Sequence, residues 1–382
     1  MVNNATTNIK RMREDIIKEY NEVIRENNVI FAPLRALVSF NNHISKKNSG
    51  INREDFREFI NGLYQAEGTM GVYFPKEDSL RVRFNFSIGQ NYSIEAVKVF
   101  SSLKKILGVG LIKLDFDLKD QAHVRYVISN TKDIFLILPY FSFLYGQKKG
   151  DIIRMERIYK LSLLLTTLSK KGVKPSIFFI NEFINLVYSI NPEGQQRKLS
   201  LKDKLDKFEC GHLSYKEKLK IEENSNLPGK LFIIGLFLGD GSFGFVFDSP
   251  PSKVPNFYIK IVFNFAAQSY NNSNIELLEL VAKAMSLKPQ IYIRKSGMIG
   301  LEYTGDIVYS YIIPFLNEYT EWLFWRKKQF INIQKIVAIF KNKGHLEKNG
   351  LKEIINLLYD MPNKYRKPKE YWIDLLEKRF PF

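Results

Sequence analysis

The heptapeptide Gly235-Leu-Phe-Leu-Gly-Asp-Gly241 organises the second half of the chain. It continues as Ser-Phe-Gly244, so its glycines have the spacing G-x-G-x-x-G of a dinucleotide-binding loop. Such a loop follows a strand and opens a helix, whose N-terminus then faces the pyrophosphate. Here the glycines are followed by a short strand pattern that ends in two prolines, Pro250 and Pro251. Because that segment cannot begin the required helix, the order of elements argues against a dinucleotide site.

The heptapeptide has a counterpart in the first half of the chain, which indicates a duplicated domain. Gly62-Leu-Tyr-Gln-Ala-Glu-Gly68 aligns with it, and residues 181–188 align with 352–359 at nearly the same offset. Between these anchors, the segments around Pro139 and Pro314 also correspond. Matches in the same order at domain spacing predict two similar domains that face each other about a pseudo-twofold axis.

Apolar periodicity predicts similar elements in both copies. In the first copy it predicts a helix over 55–67, strands near 69–74 and 80–88, a helix over 93–107, strands near 111–118 and 123–129, and helices from about 132, 150 and 174. In the second copy it predicts strands near 243–248, 256–265, 290–295 and 299–304. The predicted organisation is an N-terminal extension (1–50), a first domain (51–190), a solvated linker (191–228) and a second domain (229–382).

Small residues recur at helical spacing within the repeated motif. Gly62 and Ala66 lie four residues apart, as do Gly235 and Gly239, so each pair shares one helix face and allows close packing of two helix backbones. Each predicted helix then ends in a carboxylate. Two acids at negative helix ends would repel one another, and divalent cations would neutralise that repulsion.

The amino-acid composition indicates what kind of molecule the protein binds. The chain of 382 residues has 57 Lys and Arg against 40 Asp and Glu, a net charge of +17, which favours binding to a polyanion. A single cysteine, Cys210, excludes an internal disulfide, and the four histidines lack close metal-ligand spacing. No apolar run reaches the length of a membrane span, so we expect no membrane partner.

The motifs resemble those of a known family. Ile60–Gly68 and Ile233–Gly241 are similar to the two nonapeptides of the LAGLIDADG homing endonucleases, and residues 344–356 are similar to the family's terminal helix. The likeness is to single-chain, two-motif enzymes encoded in introns of fungal mitochondrial genomes and extends from about Phe56 to Arg366. It implies an α+β fold of two pseudo-symmetric αββαββα-type domains, each with a four-stranded antiparallel saddle for DNA. It also implies a monomer located in the mitochondrion.

The resemblance implies a metal site as well. The last acids of the two motifs, Glu67 and Asp240, would bind Mg²⁺ or Mn²⁺, with the backbone carbonyls of Ala66 and Gly239 as further ligands. Hard oxygen ligands suit these cations, which can promote phosphodiester hydrolysis by water. The motifs depart from the family pattern at Gln65 and Leu238, where the family has an aspartate that is not the metal ligand.

The family also uses one basic residue in each half beside the phosphate. Alignment after the Pro139 and Pro314 segments gives Lys148 and Lys327 as the candidates. Their neighbours Lys149 and Lys328 remain alternatives at this stage.

Alternating strands suggest a surface that reads DNA. In Leu80–Ile88 the apolar residues share one face, and the polar residues share the other. Arginine pairs with guanine and asparagine with adenine in the major groove, so the polar faces are predicted to contact double-stranded DNA. The predicted contact residues are Arg81, Arg83, Asn85, Ser87 and Arg125 in the first copy, and Lys260, Asn264 and Arg294 in the second.

Two functions remain open from the sequence. The first is a site-specific double-strand DNA endonuclease that acts as a monomer on a long, asymmetric target. The second is a non-catalytic RNA-binding protein, either an intron-splicing maturase or a ribonucleoprotein component, with intron RNA as its partner. The intact acids Glu67 and Asp240 favour the enzyme.

Overall fold

The structure of the chain is a computed structural model. The structure describes residues 2–25, 53–190, 199–217, 226–248, 258–267, 272–295, 297–361 and 367–380. Within these ranges, backbone contacts divide the chain into two compact units, Met1–Gly235 and Leu236–Phe382.

The first unit contains helices and one sheet. Its helices are α1 (Val2–Arg25), α2 (Arg53–Glu67), α3 (Ile94–Leu107), α4 (Thr131–Ile137), α5 (Gly146–Lys170), α6 (Ile177–Ser189) and α7 (Leu201–Lys207), and its strands are β1 (Gly68–Tyr73), β2 (Arg83–Asn91), β3 (Leu111–Phe116) and β4 (Ala122–Ile128). The helix α8 (Lys230–Asp240) begins in this unit and ends in the second.

The second unit repeats the same plan. Its strands are β5 (Gly241–Asp248), β6 (Tyr258–Ala267), β7 (Ile291–Ile293) and β8 (Ile299–Thr304), and its helices are α9 (Asn272–Ala284), α10 (Ile313–Glu318), α11 (Lys327–Lys341), α12 (Lys348–Tyr359) and α13 (Lys369–Arg379). A π-helical turn at Val308–Ile312 precedes α10.

Each unit holds one four-stranded antiparallel sheet with the same topology. The strand orders are β1-β2-β4-β3 and β5-β6-β8-β7. In β2, Phe84, Phe86 and Ile88 are buried, while Arg83 is exposed and Asn85 is half-buried. The α+β class and the two four-stranded antiparallel sheets predicted from the sequence are confirmed. Strand β2 begins three residues later than predicted, at Arg83, because residues 74–82 form the loop between β1 and β2.

Each motif helix passes directly into a strand at its last glycine. Helix α2 ends at Glu67 and β1 starts at Gly68, while α8 ends at Asp240 and β5 starts at Gly241. A Cβ atom on Gly68 would lie 2.1 Å from the Tyr64 ring, and one on Gly241 would lie 2.0 Å from the Phe237 ring. A side chain at either glycine would therefore displace a buried aromatic ring of the preceding helix turn.

The first turns of α8 pack backbone to backbone on α2. A Cβ atom on Gly235 would lie 2.3 Å from the carbonyl oxygen of Phe59 and 2.6 Å from the backbone nitrogen of Leu63. The buried residues Phe56, Phe59, Ile60 and Leu63 give α2 its apolar face. For Gly235, this contact fits the close helix approach that the small-residue spacing predicts.

Replacing Gly235 by alanine is expected to lower the free energy of unfolding by about 2 kcal/mol or more, because backbone atoms rather than a flexible side chain oppose the new methyl group. Gly244→Ala is the matched control from the same glycine-rich string. Its Cβ atom would meet nothing closer than 3.7 Å, so the free energy of unfolding should change by less than about 1 kcal/mol. Urea denaturation of both variants measures the difference, and equal destabilisation would contradict this packing.

Helix α1, within the predicted N-terminal extension, packs on the first sheet. The hydroxyl of Tyr20 donates to the carbonyl of Ile112 at 2.9 Å, and Tyr92 donates to Glu19 at 2.6 Å. Arg13 forms an ion pair with Asp120. Because β3 is an edge strand, α1 covers backbone that would otherwise face water.

The predicted linker is not wholly solvated. Lys204 on α7 and Cys210 after it are both buried, and Asn181 on α6 donates to the carbonyl of Cys210 at 3.3 Å. Within the described residues, no helix has the length and apolar character needed to cross a membrane.

Candidate metal and nucleic-acid site

Glu67 lies at the edge of an open groove in the first unit. Its carboxylate is half-buried, and the amide of Gln90 at the end of β2 lies 3.5 Å from its Oε1 atom. The groove, of about 470 Å³, is also lined by Asp115, His123 and Arg125 from the sheet. The acid of the first motif is therefore accessible from the polar face of the strands.

Lys148 lies on the carbonyl end of the motif helix. Its ammonium donates to the carbonyl oxygens of Tyr64 at 2.8 Å, Ala66 at 3.3 Å and Gly68 at 2.7 Å. It also lies 5.3 Å from the centre of the Tyr64 ring. A cation at this position stabilises the negative end of the helix dipole, and two of the carbonyls that it contacts, those of Ala66 and Gly68, flank Glu67 in the chain.

Two polar side chains of α2 form hydrogen bonds with the segment that precedes α5, the helix that carries Lys148. The amide of buried Asn61 donates to Tyr140 at 2.6 Å and accepts from the backbone of Phe143 at 3.0 Å. Gln65 accepts from the backbone nitrogen of Tyr145 at 3.1 Å, immediately before α5 begins. The residue at which the first motif departs from the family pattern thus positions the start of α5.

A buried acid lies one turn beyond Lys148. Burial raises the pKa of Asp151 above its usual range, while Arg154 and, to a smaller extent, Lys148 oppose that rise. Arg154 pairs with Asp151 at 3.1 Å and with Glu217 at 2.8 Å. This network fixes the first turns of α5 on which Lys148 stands.

The second unit has an equivalent arrangement around Asp240, formed by an arginine. Arg326 donates to the carbonyl of Leu238 at 3.2 Å and to that of Gly239 at 3.3 Å. Its guanidinium lies 5.4 Å from the centre of the Phe237 ring, as Lys148 lies over Tyr64. The indole of Trp325 donates to Leu238 at 3.1 Å. Like Glu67, Asp240 is half-buried at the end of its helix.

Lys327, predicted for this role from the sequence, has a different contact. Its ammonium pairs with Glu321 at 2.6 Å, whereas Arg326 contacts the helix carbonyls. Lys328 is exposed on α11, and Lys149 is half-buried beside Lys148. The run Trp-Arg-Lys-Lys contains three basic residues in succession, so alignment alone does not show which of them contacts the helix carbonyls.

The donor groups at each helix end suit a hard divalent cation. Each site combines a carboxylate with backbone carbonyls, which are the oxygen ligands that Mg²⁺ and Mn²⁺ accept. The carbonyls of Ala66 and Gly239 each accept one hydrogen bond from a cationic side chain, and each oxygen retains a second lone pair. Across the described part of the chain, no three His, Cys, Asp or Glu side chains form a metal-binding cluster.

The polar face of the first sheet carries most of the predicted contact residues. Arg83 and Arg125 are exposed, and Asn85 is half-buried between them. Arg125 pairs with Asp115 across β3 and β4 at 2.6 Å. Ser87 is buried and forms a hydrogen bond of 2.7 Å with Thr69 on the neighbouring strand. Arg81 is exposed in the β1–β2 loop rather than on a strand.

The second sheet has a similar polar face. Lys260 and Asn264 lie on β6 and are half-buried, and Asn264 forms a hydrogen bond of 2.8 Å with Ser242. Arg294 follows the last residue of β7, not within a strand as predicted, and lies 5.2 Å from the centre of the Tyr292 ring. The strand predicted near 256–265 is β6, which begins at Tyr258, and residues 256 and 257 lie outside the described residues.

Fold and site define a class: a two-unit α+β protein in which each motif helix ends in a carboxylate, with a cationic side chain on its last carbonyls, beside an antiparallel sheet. Residues 60–159 match the family described as LAGLIDADG endonuclease. That match covers about a quarter of the chain, and the chain as a whole shares a two-domain fold with solved structures of LAGLIDADG homing endonucleases. Among curated proteins, no sequence matches the chain.

Solved structures of homing endonucleases share the fold. I-LtrWI bound to its target DNA has a TM-score of 0.66 at 23% identity, over 82% of this chain and 99% of that one. I-SmaMI, bound to an uncleaved DNA target in the presence of calcium ions, has a TM-score of 0.65 at 22% identity, over 81% and 99%. I-CpaMI bound to uncleaved DNA has a TM-score of 0.63 at 19% identity, over 80% and 99%.

Proposed function

We propose that this protein is a site-specific endonuclease that hydrolyses phosphodiester bonds in both strands of double-stranded DNA, with divalent cations ligated by Glu67 and Asp240. One observation carries this proposal. In each unit an accessible carboxylate ends the motif helix, and a cationic side chain donates to the carbonyls around it. A purely structural helix end has no need of both.

In the proposed hydrolysis, the cation and the protein side chains have different roles. A divalent cation bound at these acids supplies Lewis-acid polarisation of the scissile phosphate and lowers the pKa of an attacking water. Lys148 and Arg326 hold positive charge at the helix end, where charge develops on phosphate oxygens during hydrolysis. The carbonyls of Ala66 and Gly239 are proposed as further ligands, and Lys327 as a contact to the DNA backbone.

The sheet faces are proposed to read the target. Arg83, Asn85 and Arg125 in the first unit, with Lys260 and Asn264 in the second, present donors and acceptors on the polar faces. The net charge of +17 supports binding to the DNA backbone, which makes affinity strongly dependent on salt. Arg125 must exchange its ion pair with Asp115 for a contact to DNA.

Replacing Arg83 by alanine is expected to weaken target binding by about tenfold and to relax base preference at one position, since a bidentate contact from arginine to guanine discriminates by that order. Lys104→Ala is the matched control. It also removes one positive charge, but from an exposed site on α3, away from the polar face. Fluorescence anisotropy with single-base variants of the target measures both effects. Equal losses in the two variants would show that Arg83 contributes charge only.

The activity itself can be tested without knowledge of the target. The purified chain is incubated with long, randomised duplex DNA and Mg²⁺, and the new ends are ligated to adapters and sequenced. We expect ends that converge on one long, asymmetric sequence and that disappear when the cation is chelated. Random ends or none, together with tight binding to intron RNA, would instead favour the splicing alternative. An intronic and mitochondrial origin stays a prediction, and the location of the reading frame tests it.

A further inference from the structure

A buried lysine outside the proposed site forms hydrogen bonds with one loop of the first sheet. Lys204 on α7 is 1% exposed, although it lies in a segment rich in charged residues. Its ammonium donates to the carbonyl oxygens of Glu77 at 2.7 Å, Ser79 at 2.9 Å and Lys76 at 3.4 Å. All three belong to the β1–β2 loop, residues 74–82.

Two aromatic rings complete the enclosure of this charge. The ammonium lies 4.2 Å from the centre of the Phe74 ring and 5.0 Å from that of Phe208. Burial, aided by Lys207, lowers the pKa of Lys204 to about 8, against the opposing effect of Asp78 and Glu77. The amine is therefore mostly protonated at pH 7, where carbonyl dipoles and ring faces replace its lost hydration.

Helix α7 is itself anchored on the body of the first unit. The hydroxyl of Tyr188 on α6 donates to Leu199 just before α7 at 2.9 Å, and Asn181 donates to Leu213 after it at 3.3 Å. Phe74, in the β1–β2 loop, packs edge-on against Phe183 of α6. Lys204 therefore connects this anchored helix to the loop between β1 and β2.

The loop lies at the far end of the sheet from the proposed chemistry. Strand β1 has six residues, so Tyr73 lies about 17 Å along it from the Glu67–Gly68 junction. The loop carries the exposed side chains of Lys76, Glu77, Asp78 and Arg81 and leads directly into Arg83, which pairs with Tyr73 across the two strands. Its conformation thus determines where these charged side chains are displayed beside Arg83, at one end of the polar face.

We propose that Lys204 is a positioning residue for target recognition: it holds the β1–β2 loop in the conformation in which Lys76, Arg81 and Arg83 meet the outer part of one half of the target. This inference rests on the proposed function, because it assumes that the sheet contacts DNA. It assigns to the segment between the two repeats a role in recognition that is separate from the cleavage step.

The test compares Lys204→Met with Lys202→Met, an exposed neighbour on the same helix, in the full-length protein. Methionine preserves the length of the side chain and packs well against aromatic rings, but it leaves the three carbonyls without a donor. Amide hydrogen exchange across residues 74–82 is measured in the free protein, and circular dichroism checks that each variant is folded. Target affinity, base preference and the single-turnover cleavage rate at saturating protein follow.

For Lys204→Met we expect about tenfold faster amide exchange in the loop and about tenfold weaker target binding, which is the size of effect expected when a charge-assisted hydrogen bond is lost. We also expect weaker base preference at one outer end of the target. The cleavage rate at saturation should stay within about twofold of wild type. Lys202→Met should match wild type throughout. The inference would be overturned if amide exchange in the loop of Lys204→Met were unchanged. It would also be overturned if exchange were faster but target affinity and base preference were unchanged. In either case, cleavage of the target by the wild-type protein would still support the proposed function. If the wild-type protein bound no DNA, the proposed function would be wrong, and the role of Lys204 in recognition would be wrong with it. The exchange data would still show whether Lys204 holds the loop.

Discussion

Replacing Glu67 by glutamine, or Asp240 by asparagine, is expected to lower the rate of DNA cleavage by about a thousandfold or more, because each change removes the one charged ligand that its motif helix offers to a divalent cation. Target affinity measured without metal should be unchanged or slightly higher, since each change removes a negative charge near phosphate. Both amides are nearly isosteric with the acids and keep the helix-to-strand junctions at Gly68 and Gly241 intact.

Matched controls separate this effect from a general loss of charge. Glu95→Gln on α3 and Asp306→Asn after β8 remove exposed acids from the first and second units. Both should cleave within about twofold of wild type, as surface substitutions away from a site usually do. Cleavage near the wild-type rate by Glu67→Gln or Asp240→Asn would remove that acid from the proposed site.

Replacing Lys148 or Arg326 by methionine is expected to lower the cleavage rate at saturation by about a hundredfold or more, the size of effect seen when one preorganised charge beside a developing anion is lost. Each side chain donates to the last carbonyls of its motif helix and lies over an aromatic ring, Tyr64 or Phe237. Single-turnover kinetics with protein in excess measure the rate free of any change in affinity.

Lys327→Met is the comparison that decides between neighbouring residues. Its side chain pairs with Glu321, and exposed ion pairs of this kind contribute little to stability. We expect a cleavage rate within about threefold of wild type. If Lys327→Met lost activity while Arg326→Met kept it, Lys327 would be the basic residue of the second site and the role assigned to Arg326 would be wrong.

The sequence predicted those features that depend on local pattern. The repeated heptapeptide located both motif helices, and period-two alternation located the apolar and polar faces of β2 and β6. The spacing of Gly235 from Gly239 predicted the close helix packing that the structure has at Gly235. These features could be predicted because each follows from the periodicity of one helix or strand.

Features that depend on helix phase and on contacts between distant segments were not predicted. Arg326 and Lys327 differ by about 100° around a helix, and the 3₁₀ turns at Thr320–Trp322 and Phe324–Arg326 set the phase at which α11 begins. Gln90 reaches Glu67 because β1 pairs with β2 in a register that only the folded sheet defines. The charged composition around Lys204 suggested solvent, whereas its burial depends on carbonyls more than a hundred residues earlier.

The most direct test of a divalent cation at each motif acid is anomalous diffraction from crystals of the protein bound to its target DNA in the presence of Mn²⁺. We expect anomalous peaks within about 2.5 Å of the carboxylate oxygens of Glu67 and of Asp240, the range of a ligating oxygen. We expect those peaks to disappear in Glu67→Gln and Asp240→Asn, respectively. Peaks at other residues, or none beside these two acids in crystals of a complex that cleaves DNA, would contradict the account.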